Sequence, residues 1–157
     1  MNLKEAVKNK FQNVGEVKEN FIHPLYIKIS SSIIHTTFFM KDYEINSFYH
    51  LFFAERETLT EEMLEEEIKL LFRKKKTFLS IPPDHYRSTV VLVVETEKFT
   101  GSKLPSKVKH LWFGIRGSLE FLTVVVNGRT ILIDSKWKER VEWIFKGLEG
   151  WTLKSFT

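Results

Sequence analysis

Cysteine is absent from all 157 residues. Disulfides, thiolate metal sites and a cysteine nucleophile are therefore excluded. No apolar run approaches the roughly 18 residues of a membrane-spanning helix. The opening stretch, MNLKEAVKNKF, has lysines but no apolar segment after them, so it does not read as a signal peptide. Taken together these features predict a cytoplasmic protein with no membrane association. There are 7 glycines and 4 prolines, and none of the glycines forms a Walker A loop, a GxGxxG turn or a GxSxG elbow. Gly114-Ile115-Arg116-Gly117 has too few glycines and lies between strands rather than before a helix. No two of the five histidines stand at helical metal-ligand spacing, which predicts no zinc site and no cofactor. Glutamine occurs once, at Gln12, against many lysines and glutamates; that balance leans towards a thermophile.

What is present fits one globular domain over residues 1–157, with 43% hydrophobic and 28% charged residues. A chain of this length buries roughly two-thirds of its unfolded surface without help from a metal or a crosslink. Aromatic residues reach 14%, including 14 Phe and 4 Trp. They predict a ring-rich core, with Tyr49, Tyr86, Trp112 and Trp151 as candidates for an exposed binding surface. The charge is uneven. Residues 1–97 hold 13 basic and 15 acidic side chains, whereas residues 98–157 hold 11 basic and 5 acidic ones. A basic last third suits contact with nucleic acid or with another acidic partner.

Hydrophobic periodicity predicts the element order α-βββ-α-β-βββ-α. A short charged helix over Asn2–Phe11 lies at the edge of the domain. Leu25–Ser30, Ile33–Met40 and Ile45–Ala54 read as three strands of an antiparallel meander, with a turn at Lys41-Asp42-Tyr43. Thr60 caps a helix reaching about Lys76, with Leu64, Ile68, Leu71 and Phe72 on one face. Its early acids and late bases match the helix dipole, which accounts for Arg73-Lys74-Lys75-Lys76 without a ligand. Thr89–Val94, TVVLVV, reads as a central strand covered on both faces. His110–Arg116 and Leu119–Val126 follow as strands. Asn127-Gly128 then makes a type I′ turn into Thr130–Ile133. Trp137, Val141, Ile144, Phe145 and Leu148 form the apolar face of a last helix, ended by Gly147 or Gly150. The expected fold is α+β: a mixed or mainly antiparallel sheet of about six to seven strands, covered by helices on one side.

The sharpest chemical candidate is Asp134-Ser135-Lys136 at the end of an apolar strand. An acid and a lysine two positions apart share one strand face. Joined by a second acid they can hold Mg²⁺ and steady a phosphate during hydrolysis. Glu120 is the nearest such acid in the pattern, with Glu95 or Glu97 ending the strand before it. Helical period begins at Trp137, however, and that favours Asp134 or Ser135 as the helix cap. His35 and His50 fall among rings in strands and read as structural. His85 and Tyr86, in the loop opened by Pro82-Pro83-Asp84, together with Trp112 and Arg116, are the ligand-binding candidates, because loops carry function.

Pro83-Asp84, the strand-end acids and Asp134-Ser135-Lys136 together resemble the PD-(D/E)xK nucleases, which implies Asp134, Lys136 and Glu120 as catalytic residues with Mg²⁺ as cofactor. Over a longer span, Asp84-His85-Tyr86-Arg87-Ser88-Thr89 opening an apolar strand and Trp112-Phe113-Gly114-Ile115-Arg116-Gly117 opening a hairpin resemble a group of small uncharacterised proteins of archaea and firmicutes. That resemblance implies a single prokaryotic domain and carries no catalytic role. The expectation is a non-enzymatic interaction domain, with self-association through open strand edges. The alternatives are a metal-dependent nuclease or its inactive relative, and a single-stranded nucleic-acid binder.

Overall fold

The computed structural model describes residues 2–35, 43–79, 87–112 and 116–156; for 31–35, 43–47, 87, 111–112 and 116–117 it describes the backbone alone. Helix α1 (Leu3–Phe11) opens with Asn2, whose side chain accepts from Glu5 N at 2.8 Å. It is no edge helix. Leu3, Ala6, Val7 and Phe11 are buried against the sheet, because these apolar positions recur at helical spacing on one face.

Strands β1 (Glu16–Phe21), β2 (His23–His35) and β3 (Tyr43–Thr60) form the antiparallel meander. Its make-up differs from the sequence reading. The predicted run at 25–30 and the described part of the second run, 33–35, belong to one long strand, β2, and β1 precedes it; 36–40 lie outside the described residues. Ile22 makes the β1–β2 reversal at φ 61°, a costly conformation for a β-branched residue. The predicted turn residues Lys41 and Asp42 lie outside the described residues.

Helix α2 (Glu61–Arg73) starts where Thr60 Oγ1 accepts from Met63 N at 3.2 Å. A 3-10 turn over Lys75–Thr77 extends it. Strand β4 (Arg87–Thr100) then lies parallel to β3 on one side and to β6 (Arg116–Asn127) on the other. Its run Val90–Val94 is buried on both faces, as a central parallel strand requires. Strand β5 (Ser106–Trp112) pairs with β6 over 116–122, and β7 (Thr130–Asp134) pairs with the same flank of β6 over 125–127. The two thus lie end to end along β6. The β6–β7 loop is Gly128-Arg129 rather than Asn127-Gly128, since Asn127 pairs with Thr130. Gly128 alone has positive φ, at 63°, which is the pattern of a type II′ rather than a type I′ turn. Helix α3 (Lys138–Phe145) is followed by Gly147 at φ 84°. A final strand, β8 (Thr152–Phe156), pairs parallel to β7.

The result is an α+β domain with one mixed eight-stranded sheet, order β1-β2-β3-β4-β6-β7-β8, and β5 beside β6. The helices cover both faces rather than one. α1 and α3 pack on the face carrying Ile27, Leu51, Val91, Val93 and Val124; α2 packs on the face carrying Phe52, Val90, Leu92, Phe121 and Val125. The alternation of strand side chains divides the core in this way.

Candidate functional site

The proposed nuclease residues do not come together. β7 stops at Asp134, because β5 occupies the flank of β6 beyond that point. Asp134 Oδ1 accepts from Lys136 N at 2.9 Å and so caps the 3-10 turn Ser135–Trp137 that leads into α3. Lys136 is exposed beyond the strand, its ammonium 5.1 Å from the Trp137 ring centroid. Acid and lysine therefore share no strand face. Asp134 lines a cavity with Glu65, Ile68 and Lys69 of α2, whereas Glu120 faces α3 on the opposite side of the sheet. Arg140 grips Glu120 through two contacts, Nη1 to Oε1 at 2.9 Å and Nη2 to Oε2 at 2.8 Å. Thr89 Oγ1 donates to the same carboxylate at 3.4 Å. Glu120 is only 4% exposed, and its oxygens are engaged in pinning α3 to β6. Among the described residues no three His, Cys, Asp or Glu side chains could hold a metal ion.

The other sequence candidates divide. Asp84, His85 and Tyr86 lie outside the described residues. Trp112 and Arg116 face each other as the last pair of the β5–β6 ladder, and their side chains are outside the description too. His50 is fully buried, with Nδ1 2.7 Å from Tyr26 Oη. Of the rings proposed for a binding surface, Tyr49 packs edge-on to Trp143 at 4.8 Å, and Trp151 lies under the Arg129 guanidinium. No Phe, Tyr or Trp is exposed among the residues whose side chains are described.

Instead, lysines gather on the α2 side of β5. Phe72 lies at the margin of the apolar stripe of α2, one position past Leu71. Its inner edge meets Phe121 of β6 at 5.5 Å. Three ammonium groups lie around its ring: Lys75 and Lys107 each at 4.0 Å from the ring centroid, and Lys109 at 5.9 Å. Lys107 and Lys109 reach it because period 2 puts both on the α2 face, opposite Phe121 and Leu119. Lys107 and Lys109 are exposed, whereas Lys75 is half-buried and donates from Nζ to the Phe72 carbonyl at 3.3 Å. Lys75 and Lys107 cannot be farther apart than twice 4.0 Å, so their like charges repel, and an anion bound beside them would relieve that repulsion.

Lys107 also lines the cavity of about 470 Å³ where β7 ends and β5 begins, together with Lys69, Lys103 and Lys136. Glu61, at the start of α2, fixes the loop before β5 by accepting from Ser102 N and Lys103 N, both at 3.1 Å. Among the described residues only Lys69 of this group has an ion-pair partner, Glu66 at 3.5 Å. Glu65 and Asp134 are the acids in the cavity. This lysine ridge gathers more cations than acids, and among the described residues Lys75, Lys107 and Lys109 form no ion pair. The readable signal in the sequence is the alternation Lys107-Val108-Lys109; its convergence with Lys75, far away in the chain, is not readable.

A larger cavity, about 830 Å³, opens at the other end of β3 and β4 and is lined by Glu55, Glu57, Glu95 and Glu97. Glu55 and Glu95 are register partners. Burial and then the Glu55 charge push the Glu95 carboxyl above its usual range. Arg129, stacked at 4.6 Å on Trp151, lines the same cavity.

No family model, curated protein or solved structure matches this chain. No helix among the described residues is long and apolar enough to cross a membrane.

Proposed function

We propose that this chain is a cytoplasmic interaction domain that binds an anionic partner through the lysine ridge on α2 and β5. The observation that carries this reading is the convergence of Lys75, Lys107 and Lys109 on Phe72, with no ion pair to any of the three among the described residues. Such a group gains from an anion by relief of mutual repulsion and by release of counterions. The ridge consists of lysines, which act as mobile point charges rather than as the rigid forks of arginine. It therefore suits a run of negative charges more than one fixed carboxylate. Catalysis is not part of the reading, since Asp134 is a cap and Glu120 is held by Arg140 on the other face.

The test is binding to heparin and to a single-stranded oligonucleotide across a salt series. Engagement of about four lysines gives a log–log salt slope near −3, and Lys107→Ala with Lys109→Ala should make it shallower by about 1.4. An affinity indifferent to salt refutes the reading.

A further inference from the structure

β5 is a sheet edge as well as the carrier of two ridge lysines. Among the described residues it pairs with β6 alone, and Ser106 to His110 are exposed. Along the same flank, β7 is covered on its outer side by β8, whose last pair is Asp134 with Phe156. Among the described residues, the outer row of backbone N–H and C=O groups of β5 therefore has no partner strand, where its neighbour in line has one. An open edge is a template for one more strand.

The side chains on β5 say what kind of strand fits. Lys107 and Lys109 face α2, and Val108, 38% exposed, faces the other way. Residues opposite one another on paired strands interact directly. An added strand would best carry acids at alternate positions, facing the lysines, with an apolar residue between them against Val108. A second copy of β5 is a poor occupant, since pairing β5 with itself sets lysine near lysine on one face, a standard defence of sheet edges. We propose that β5 receives, by strand addition, an extended segment of a partner protein in which acidic and apolar residues alternate. This rests on the reading of the ridge as an anion-binding surface and adds the backbone ladder to it.

The experiment uses the whole chain and a fluorescein-labelled peptide of alternating glutamate and valine, the 7 residues of β5 setting its length. Anisotropy is compared for this peptide, for the same sequence N-methylated at alternate amides in both possible phases, and for a single-stranded oligonucleotide. The parent peptide is expected to bind, and N-methylation in one phase is expected to weaken it at least tenfold while leaving its charge intact. Lys107→Glu with Lys109→Glu is expected to weaken the parent peptide at least tenfold, with the circular dichroism spectrum unchanged. Amide exchange at alternate residues of β5 should slow on peptide addition. Equal affinity for the parent and both methylated peptides overturns strand addition and leaves salt-dependent anion binding standing. Oligonucleotide binding without peptide binding overturns it in favour of a nucleic-acid partner. Failure of the peptide, the oligonucleotide and heparin alike takes down the ridge reading as well.

Discussion

Replacing Arg140 by methionine tests what Glu120 is for. Methionine keeps much of the aliphatic length of the side chain but leaves a carboxylate that is 4% exposed without its cation. Removing one partner of a buried pair costs about 3–5 kcal/mol. The Arg140 side chain is 22% exposed, and Thr89 Oγ1 stays beside the carboxylate, so the lower end applies, about 3 kcal/mol. For a chain of 157 residues that lowers Tm by about 9 °C. Adding Glu120→Gln removes the stranded charge, so the double variant should recover about 2 kcal/mol of the loss. Urea unfolding of wild type, both single variants and the double variant measures this, with a constant m-value as the check on two-state behaviour. A loss below 0.5 kcal/mol in Arg140→Met, or a double variant no more stable than Arg140→Met, refutes the assignment of Glu120 as the anchor of α3.

Asp134→Ala should cost about 1 kcal/mol by loss of the cap, whereas Ser135→Ala, which removes no cap bond, should be near neutral in the same urea assay. Lys10 donates from Nζ to the carbonyls of Trp143, Ile144 and Lys146 at 2.7, 3.0 and 2.8 Å, tying α1 to the end of α3. Lys10→Met should therefore cost about 1–2 kcal/mol, and hydrogen exchange should quicken over α3 first. Glu95 has its folded-state pKa raised, by burial and by Glu55, so its contribution favours folding below the unfolded pKa and is lost as pH rises through the folded one. Glu95→Gln should raise the urea midpoint at pH 7, and the gain should vanish at pH 3.5, where both forms are neutral; a gain that is equal at both pH values refutes the shift.

Local chemistry made several elements legible from the chain alone. Thr60 followed by the spacing Leu64, Ile68, Leu71 specifies a capped amphipathic helix, and α2 starts there. TVVLVV can hardly be anything but a doubly covered strand, and β4 lies between two parallel neighbours. The switch from strand to helical period between 133 and 137 implied a cap, and Asp134 supplies it. These features depend on contacts between residues near in sequence, which the pattern records.

What only the tertiary structure decided depends on neighbours distant in sequence. β8 has an almost wholly exposed pattern, without the alternation that marks a half-buried strand; it forms because β7 offers a free edge. β7 ends at Asp134 because β5 already holds the next stretch of β6. The split of the helices between two faces follows from which side chains each face presents, a property of the assembled sheet. The lysine ridge is of the same kind. Lys75 and Lys107 are ordinary lysines in the chain, and become a site only because α2 packs on the sheet face to which β5, paired along the edge of β6, points Lys107, bringing their like charges onto one phenylalanine ring.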